Sequence, residues 1–282
     1  MTMSKVQGQP VKSDLSDAPL PFLLWAGTRE HWPQLSDYLL SRSGLPGPRA
    51  NLGLAGDFAR CFANPEVSAE ALSLLSSWCE LPPNPQDAND PEEYLPLCAL
   101  LAYGAYYGYG EQEHRSMVEE KLQAAMNDSR WRVREAAAMS LQLIGEFDFS
   151  LLQNLLEGWR RDATALEQRA FVAALAHPPL LKDEVHAGYC LELSEEILSG
   201  LLSGSHAQAD PEHLRVLSKG LEYALSLFVA GKPEAGFALL RRISCSGDKT
   251  MIRIVKSNLS KKRLSGKYPD ETAEILAGLT IA

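Results

Sequence analysis

Past residue 90 the apolar positions of the chain return every three or four residues. Val118, Leu122 and Ala125 share one helical face, as do Val133, Ala137, Leu141 and Ile144. Leu151, Leu152, Leu155, Leu156 and Trp159 form the next stripe. Tyr189, Leu193, Ile197 and Leu201 follow, then Leu214, Leu217, Leu221 and Phe228, and finally Ile252, Val255 and Leu259. This is the period of an amphipathic helix and not the alternation of a half-buried strand, so it predicts an all-α chain. Short connections make neighbouring helices antiparallel.

The punctuation before residue 90 is denser. From Pro21 to Trp78 short helical runs alternate with turns, and Ser43-Gly44-Leu45-Pro46-Gly47-Pro48 breaks any helix that reaches it. A second break covers residues 81–89, LPPNPQDAN. It leads into Asp90-Pro91-Glu92-Glu93, which reads as a helix start. The Asp caps free N–H groups, the Pro suits the first turn, and the Glu pair complements the helix dipole. The same signal stands at Asp210-Pro211-Glu212. Residues 1–18 carry no apolar period and read as a disordered tail.

Beneath the helices lies a repeat. SRWRVREAAAMSLQLIG (129–145), ATALEQRAFVAALA (163–176) and KTMIRIVKSNLSKK (249–262) each place an Arg among small and apolar residues. Arg134 and Arg169 are 35 residues apart, and Arg169 and Arg253 are 84 apart, twice 42. Two-helix periods near 40 residues mark HEAT and armadillo solenoids. Asp128, Val133 and Arg134 also fit the D-x-x-x-x-V-R signature of such repeats. One helix pair cannot bury its stripe alone; stacked pairs share a continuous core and leave a surface formed by the second helices. The predicted architecture is an α-α superhelix of antiparallel pairs. Residues 19–282 form one solenoid domain, with an irregular helical part at 19–89 and HEAT-like repeats at 90–282.

On these residues the stretch from about 114 to 275 resembles HEAT repeats. It is similar in particular to those of the bacterial DNA alkylation-repair glycosylases, whose closing repeats Met251–Pro269 (MIRIVKSNLSKKRLSGKYP) resembles. Ser43–Leu54 (SGLPGPRANLGL) resembles the N-terminal region of bacterial HEAT-repeat proteins. The glycosylase resemblance implies capture of an alkylated duplex on a basic concave face and excision of a cationic base. That chemistry needs a carboxylate beside the glycosidic bond, flanked by aromatic rings. The sequence alone assigns no such trio.

Composition narrows the picture. The chain has 282 residues, is 45% apolar and carries a net charge of −9, which disfavours a protein that coats nucleic acid. Residues 210–267, however, hold 12 Lys/Arg against 5 Asp/Glu. Within them Lys249, Arg253, Lys256 and Arg263 fall at i, i+4, i+7 and i+14 and predict one basic stripe, with Lys261 and Lys262 beside it and Arg241-Arg242 ending the preceding helix. Two readings stand: a site for phosphates or a carboxylate-rich partner, or a solvated face. Trp131, Arg132 and Arg134 mix aromatic and basic character, as nucleic-acid surfaces do. Their structural reading makes Arg134 an inter-repeat salt bridge or helix-cap donor and places Trp159 in the core. The run Tyr103–Gly110 reads as a helix packed through small residues and ending at Gly108 or Gly110.

No catalytic residue is expected. The sequence lacks GxGxxG, P-loop, HExxH and GxSxG motifs. His206, Asp210 and His213 match no metal template, and His186 with Cys190 lacks an orienting third group. Five scattered cysteines without a CxxC pair argue against a disulfide framework or a zinc site. The apolar stretch Leu95–Gly110 is too short for a membrane span, and residues 1–18 do not read as a signal peptide. The expectations are a cytoplasmic chain with no metal, no cofactor and no membrane contact. It binds a macromolecule, a protein first and nucleic acid through residues 210–267 second.

Overall fold

The turn signals of the sequence become helix boundaries because each supplies a partner for free backbone N–H groups. Asn51, Ser68, Asp148, Asp183, Asp210 and Asp248 all accept such bonds from the first turn of the following helix. Thr164 and Glu167 cap one another's backbone reciprocally. The computed structural model describes residues 21–87, 89–205 and 208–281, and every regular element among them is helical. The tail at 1–18 and His206 lie outside the described residues.

The helices are α1 (Phe22–Ala26), α2 (Trp32–Leu40), α3 (Leu52–Arg60), α4 (Ala69–Cys79), α5 (Tyr94–Tyr106), α6 (Gln112–Met126), α7 (Trp131–Phe147) and α8 (Phe149–Trp159). They continue with α9 (Ala165–Leu175), α10 (Glu184–Ser203), α11 (Pro211–Gly231), α12 (Pro233–Ser244), α13 (Lys249–Leu259), α14 (Lys262–Ser265) and α15 (Pro269–Ile281). Helices α3, α5, α7, α9, α11 and α13 form a row in which each packs on the next. Of the intervening helices, α4 packs on α5, α6 and α8 on α7, α10 on α11, and α12 on α11 and α13. The three repeat segments are α7, α9 and α13. Helix α11 is the row member between the last two. Helices α3 and α4, from the part read as irregular, both pack on α5.

Helix α5 has no amphipathic stripe because α2, α3, α4, α6 and α7 surround it. Its residues from Tyr94 to Gly104 are all buried. The charge-free stretch that begins at Leu95 is therefore a central helix, and no described helix is long and apolar enough to cross a membrane. The run Tyr103–Gly110 packs as its small residues suggest, although α5 already stops at Tyr106. The Tyr103 hydroxyl donates to Leu72 O at 3.1 Å and the Tyr107 hydroxyl to Glu119 Oε1 at 2.7 Å. Nearly all of the buried apolar residues form one connected cluster from Phe22 to Ile275.

Candidate binding groove

Three depressions lie along the row of helices and run into one another. One, of about 540 Å³, is lined by α3, α5 and α7 with the chain at His177. A second, of about 380 Å³, is lined by the turn before α3 together with α3, α5 and α7. The third, of about 530 Å³, is lined by α7, α9 and α11. Leu52 and Met139 belong to the first two, Gln142 to the first and third, and Glu135 to the second and third. The result is one groove across α3, α5, α7, α9 and α11.

The α3 end is apolar. Leu52, Tyr109, Trp131 and Phe147 are large side chains left 38–50% exposed around it. The turn before α3 brings Arg49 to its rim. That turn closes with Asn51 N–H donating to Ser43 O at 2.7 Å, and it is held to α5 by the Tyr94 hydroxyl, which donates to Asn51 O at 2.7 Å. Gly44 sits in the left-handed region (φ +76°), where a Cβ would also meet Arg49 O at 2.8 Å, so the SGLPGP signal encodes this closed turn. Arg49 has no hydrogen-bond or ion-pair partner among the described residues.

The α11 end is basic. Arg169 on α9 pairs with Glu135 on α7, and Arg215 Nη2 lies 2.5 Å from Glu212 on its own helix. Glu222 accepts from both Lys219 Nζ at 2.9 Å and Arg253 Nε at 2.8 Å. Tyr223, 52% exposed, carries the Arg263 guanidinium 5.3 Å and the Lys261 ammonium 5.9 Å from its ring centre. Arg263 Nη1 is buried without a hydrogen-bond partner among the described residues. Burial, and then the charge of nearby Arg169, holds the Arg134 guanidinium below its ordinary value. Like charges are thus crowded at this end: Glu135 and Glu212 each pair with one base and Glu222 with two.

Burial raises the Glu222 carboxyl, but the bonds from Lys219 and Arg253 outweigh it and hold the group below the usual carboxylate range. A depressed folded-state value means that the ionised form stabilises the fold at neutral pH and that this contribution fades as the carboxyl is protonated. Glu222→Gln is therefore expected to lower the urea midpoint most at pH 7. The gap to the parent protein should shrink as the pH drops below about 4.3, the ordinary Glu value. A gap that stays constant from pH 7 to pH 3 overturns this assignment.

The structure divides the basic stripe expected from the sequence. Helix α13 ends at Leu259 and Lys261 is extended (φ −72°, ψ 132°), so Arg263 starts a new short helix instead of continuing the face of Lys249, Arg253 and Lys256. At that break sits Asn258, whose side chain is fully buried. It accepts from Ser226 N–H at 2.7 Å and donates to Leu221 O and Ile254 O at 2.9 and 2.8 Å, locking the end of α13 onto α11. Arg253 and Arg263 nonetheless reach the α11 end of the groove through Glu222 and Tyr223. Lys249 and Lys256 are exposed. Arg241 and Arg242 lie elsewhere: Arg241 Nη2 is 2.6 Å from Glu274 on α15, and Arg242 Nη2 is 2.5 Å from Glu195 on α10.

The Trp131 cluster is divided too. Trp131 is 49% exposed at the groove. Arg132, expected as a surface residue beside it, is instead 3% exposed and bonded to Glu93 at 3.3 Å and Asn89 at 3.0 Å, with its guanidinium 4.5 Å from the centre of the Trp131 ring. Arg134 Nη1 caps the chain entering α7, donating to Asp128 O at 2.5 Å and Ser129 O at 2.8 Å. Reaching back to a Glu of the preceding row helix falls to Arg169 and Arg253. Trp159 packs against the core and stacks on Phe171. His186 Nδ1 donates to Leu180 O at 3.0 Å and its ring stacks on Phe149, while burial pushes the Cys190 thiol up to about 12, so the two make no nucleophile pair. Asp210 caps α11. No three of His, Cys, Asp and Glu converge as metal ligands among the described residues.

The groove residues Glu135, Arg215, Lys219, Glu222 and Tyr223 carry no distinguishing mark in the sequence. Polar residues on the solvent side of an amphipathic helix look alike whether they face bulk water or a groove. The chain matches no known family model and no curated protein. Chemically the groove joins exposed aromatic and aliphatic side chains at one end to crowded cations at the other. That arrangement suits binding, and its carboxylates are engaged as ion-pair acceptors.

Proposed function

We propose that the protein is a non-enzymatic, HEAT-like α-α superhelix that holds a macromolecular partner, a protein, along the groove from α3 to α11. The second helices of successive pairs line such a surface, and no catalytic group is required of it. The observation that supports this reading best is the confluence of three depressions through Leu52, Glu135, Met139 and Gln142. A groove crossing five helices suits an elongated chain; a small-molecule site encloses its ligand instead.

One observation favours a second reading, a DNA-binding protein or glycosylase of the alkylation-repair type. Trp131 and Glu135 stand one helical turn apart and line the same depression, so a carboxylate does lie beside an aromatic ring. Against it, Glu135 is paired with Arg169, Arg132 sits over the Trp131 ring, and the chain carries a net charge of −9.

The two are separated by placing a photo-crosslinking residue at Ala173, which lines the groove, and at Ser199, exposed on α10. In cells of the native host, adducts should form from position 173 and not from position 199, and protease should remove them while nuclease leaves them intact. Adducts equal at both positions, or none at 173, overturn the groove reading. Nuclease-sensitive adducts favour DNA.

A further inference from the structure

We infer that the partner presents an acidic segment with an aliphatic or aromatic anchor: the anchor enters the Trp131 depression and the carboxylates lie on the cations around Tyr223. The inference rests on the groove reading and adds the chemistry of the occupant.

Charge complementarity carries it. At the α11 end, Arg169, Arg215 and Lys219 line the groove, Arg253 is held beside them on Glu222, and Lys261 and Arg263 lie over Tyr223; the carboxylates paired with these cations are Glu135, Glu212 and Glu222. This surplus of positive charge occurs in a chain whose net charge is −9. Crowded like charges are relieved when an anion settles among them, and guanidinium groups match carboxylates in two-pronged geometry. Arg215, Lys219 and Arg253 bond to resident carboxylates, and their guanidinium and ammonium groups carry further N–H donors from which an incoming acid can accept.

The other end selects for an apolar side chain. Leu52, Leu97, Met139 and the ring of Trp131 wall the depression, and Arg49 at its rim has no partner among the described residues. Such walls offer area to an aliphatic or aromatic group and little to a sugar or phosphate. A base stacking on Trp131 meets the Arg132 guanidinium on one face of the ring. Duplex DNA presents phosphates along its whole length, whereas here the surplus of cations is confined to one end of the groove.

Geometry adds a spacing. Trp131 is on α7 and Lys219 on α11, next-but-one neighbours in the row. Packed helix axes are about 8–10 Å apart, so anchor site and cation cluster are separated by about 20 Å. An extended chain covers that distance in about six residues.

The test uses the full chain and fluorescein-labelled peptides read by anisotropy. The probe carries Leu-Phe, a Gly/Ser spacer of about six residues, and the acidic run Glu-Asp-Glu-Glu. Three controls replace Leu-Phe by Ser-Ser, replace the acids by their amides, or delete the spacer. Single-stranded and duplex oligonucleotides of similar length run beside them. The full probe should bind saturably, and each peptide control should lose about tenfold or more in affinity. Arg215→Gln with Lys219→Gln should weaken the full probe about tenfold and flatten its salt dependence. Trp131→Ala should weaken it without changing the salt slope. These side chains are exposed, and unchanged helical circular dichroism certifies the variants. Equal affinity for probe and controls, no saturable binding at millimolar peptide, or tighter binding of an oligonucleotide overturns the inference. If position 173 crosslinks a protein while no acidic peptide binds, the groove reading stands and this inference alone falls. If position 173 crosslinks nothing, the groove reading falls first.

Discussion

Gly104→Leu is expected to remove a large share of the protein's stability. Gly104 lies where α5 crosses α7, and a Cβ built on it meets Ser140 Cα and O at 2.7 Å and Ser140 Cβ at 2.9 Å. Two of these are backbone atoms, so no rotamer change relieves the contact and the helices must part. Their separation also breaks the bond from Ser140 Oγ to Leu100 O, 2.7 Å long and fully buried. Overpacking within a core costs about 1–3 kcal/mol and more when backbone must move, against a total stability of about 5–15 kcal/mol. Gly104→Ala should give a smaller loss in the same direction. Gly158, on α8, has open space where a Cβ would stand, with nothing within 4 Å, so Gly158→Leu is the matched control and should leave the urea midpoint nearly unchanged. Equal midpoints for the Gly104→Leu and Gly158→Leu proteins refute the close crossing of α5 and α7.

The second large effect is expected at Asn258. Leucine has the same number and branching of side-chain heavy atoms but no polar ones, so Asn258→Leu strands the buried Ser226 N–H and withdraws the donor that Leu221 O and Ile254 O receive. A stranded buried group costs about 1–3 kcal/mol, which sets the scale of the expected loss. Asn258→Asp keeps an acceptor for Ser226 N–H but turns an anionic oxygen toward two carbonyls, and it should be no better tolerated at neutral pH. Urea titration measures the loss. Hydrogen exchange at Ser226 locates it, because that amide should lose protection before the rest of α11. Unchanged protection there would mean that Asn258 does not join the helices. The same substitution frees the turn at Lys261–Arg263, so the cations around Tyr223 should lose their arrangement and the acidic probe its affinity.

Much of the helical layout is legible in the sequence because short-range physics sets it. Spacing alone places Val118, Val133, Ala137, Leu141, Ile144, Leu217, Leu221 and Val255 in the core, and all are buried. Asp90 and Asp210 read as caps and accept the expected backbone bonds. Helix α5 is harder to read, since a helix covered on all sides has no polar face to betray its period. Arg132 shows a different limit. An arginine beside an exposed Trp looks solvent-facing until Glu93 and Asn89, some forty residues away in sequence, arrive to bury and neutralise it.

The groove follows the same division. The residue order dictated which helices form, where they are capped, and that an excess of Lys and Arg gathers between residues 210 and 267. Which of those cations belong together depended on packing between distant helices. Arg253 reaches Glu222 and Arg263 reaches Tyr223, both on α11, where Asn258 also bonds the end of α13 to α11, whereas Arg241 and Arg242 turn to α15 and α10. Helical period and capping act over a few residues, so the sequence alone determines them. Ion pairing and groove shape act between segments thirty or more residues apart, and only their docking decides them.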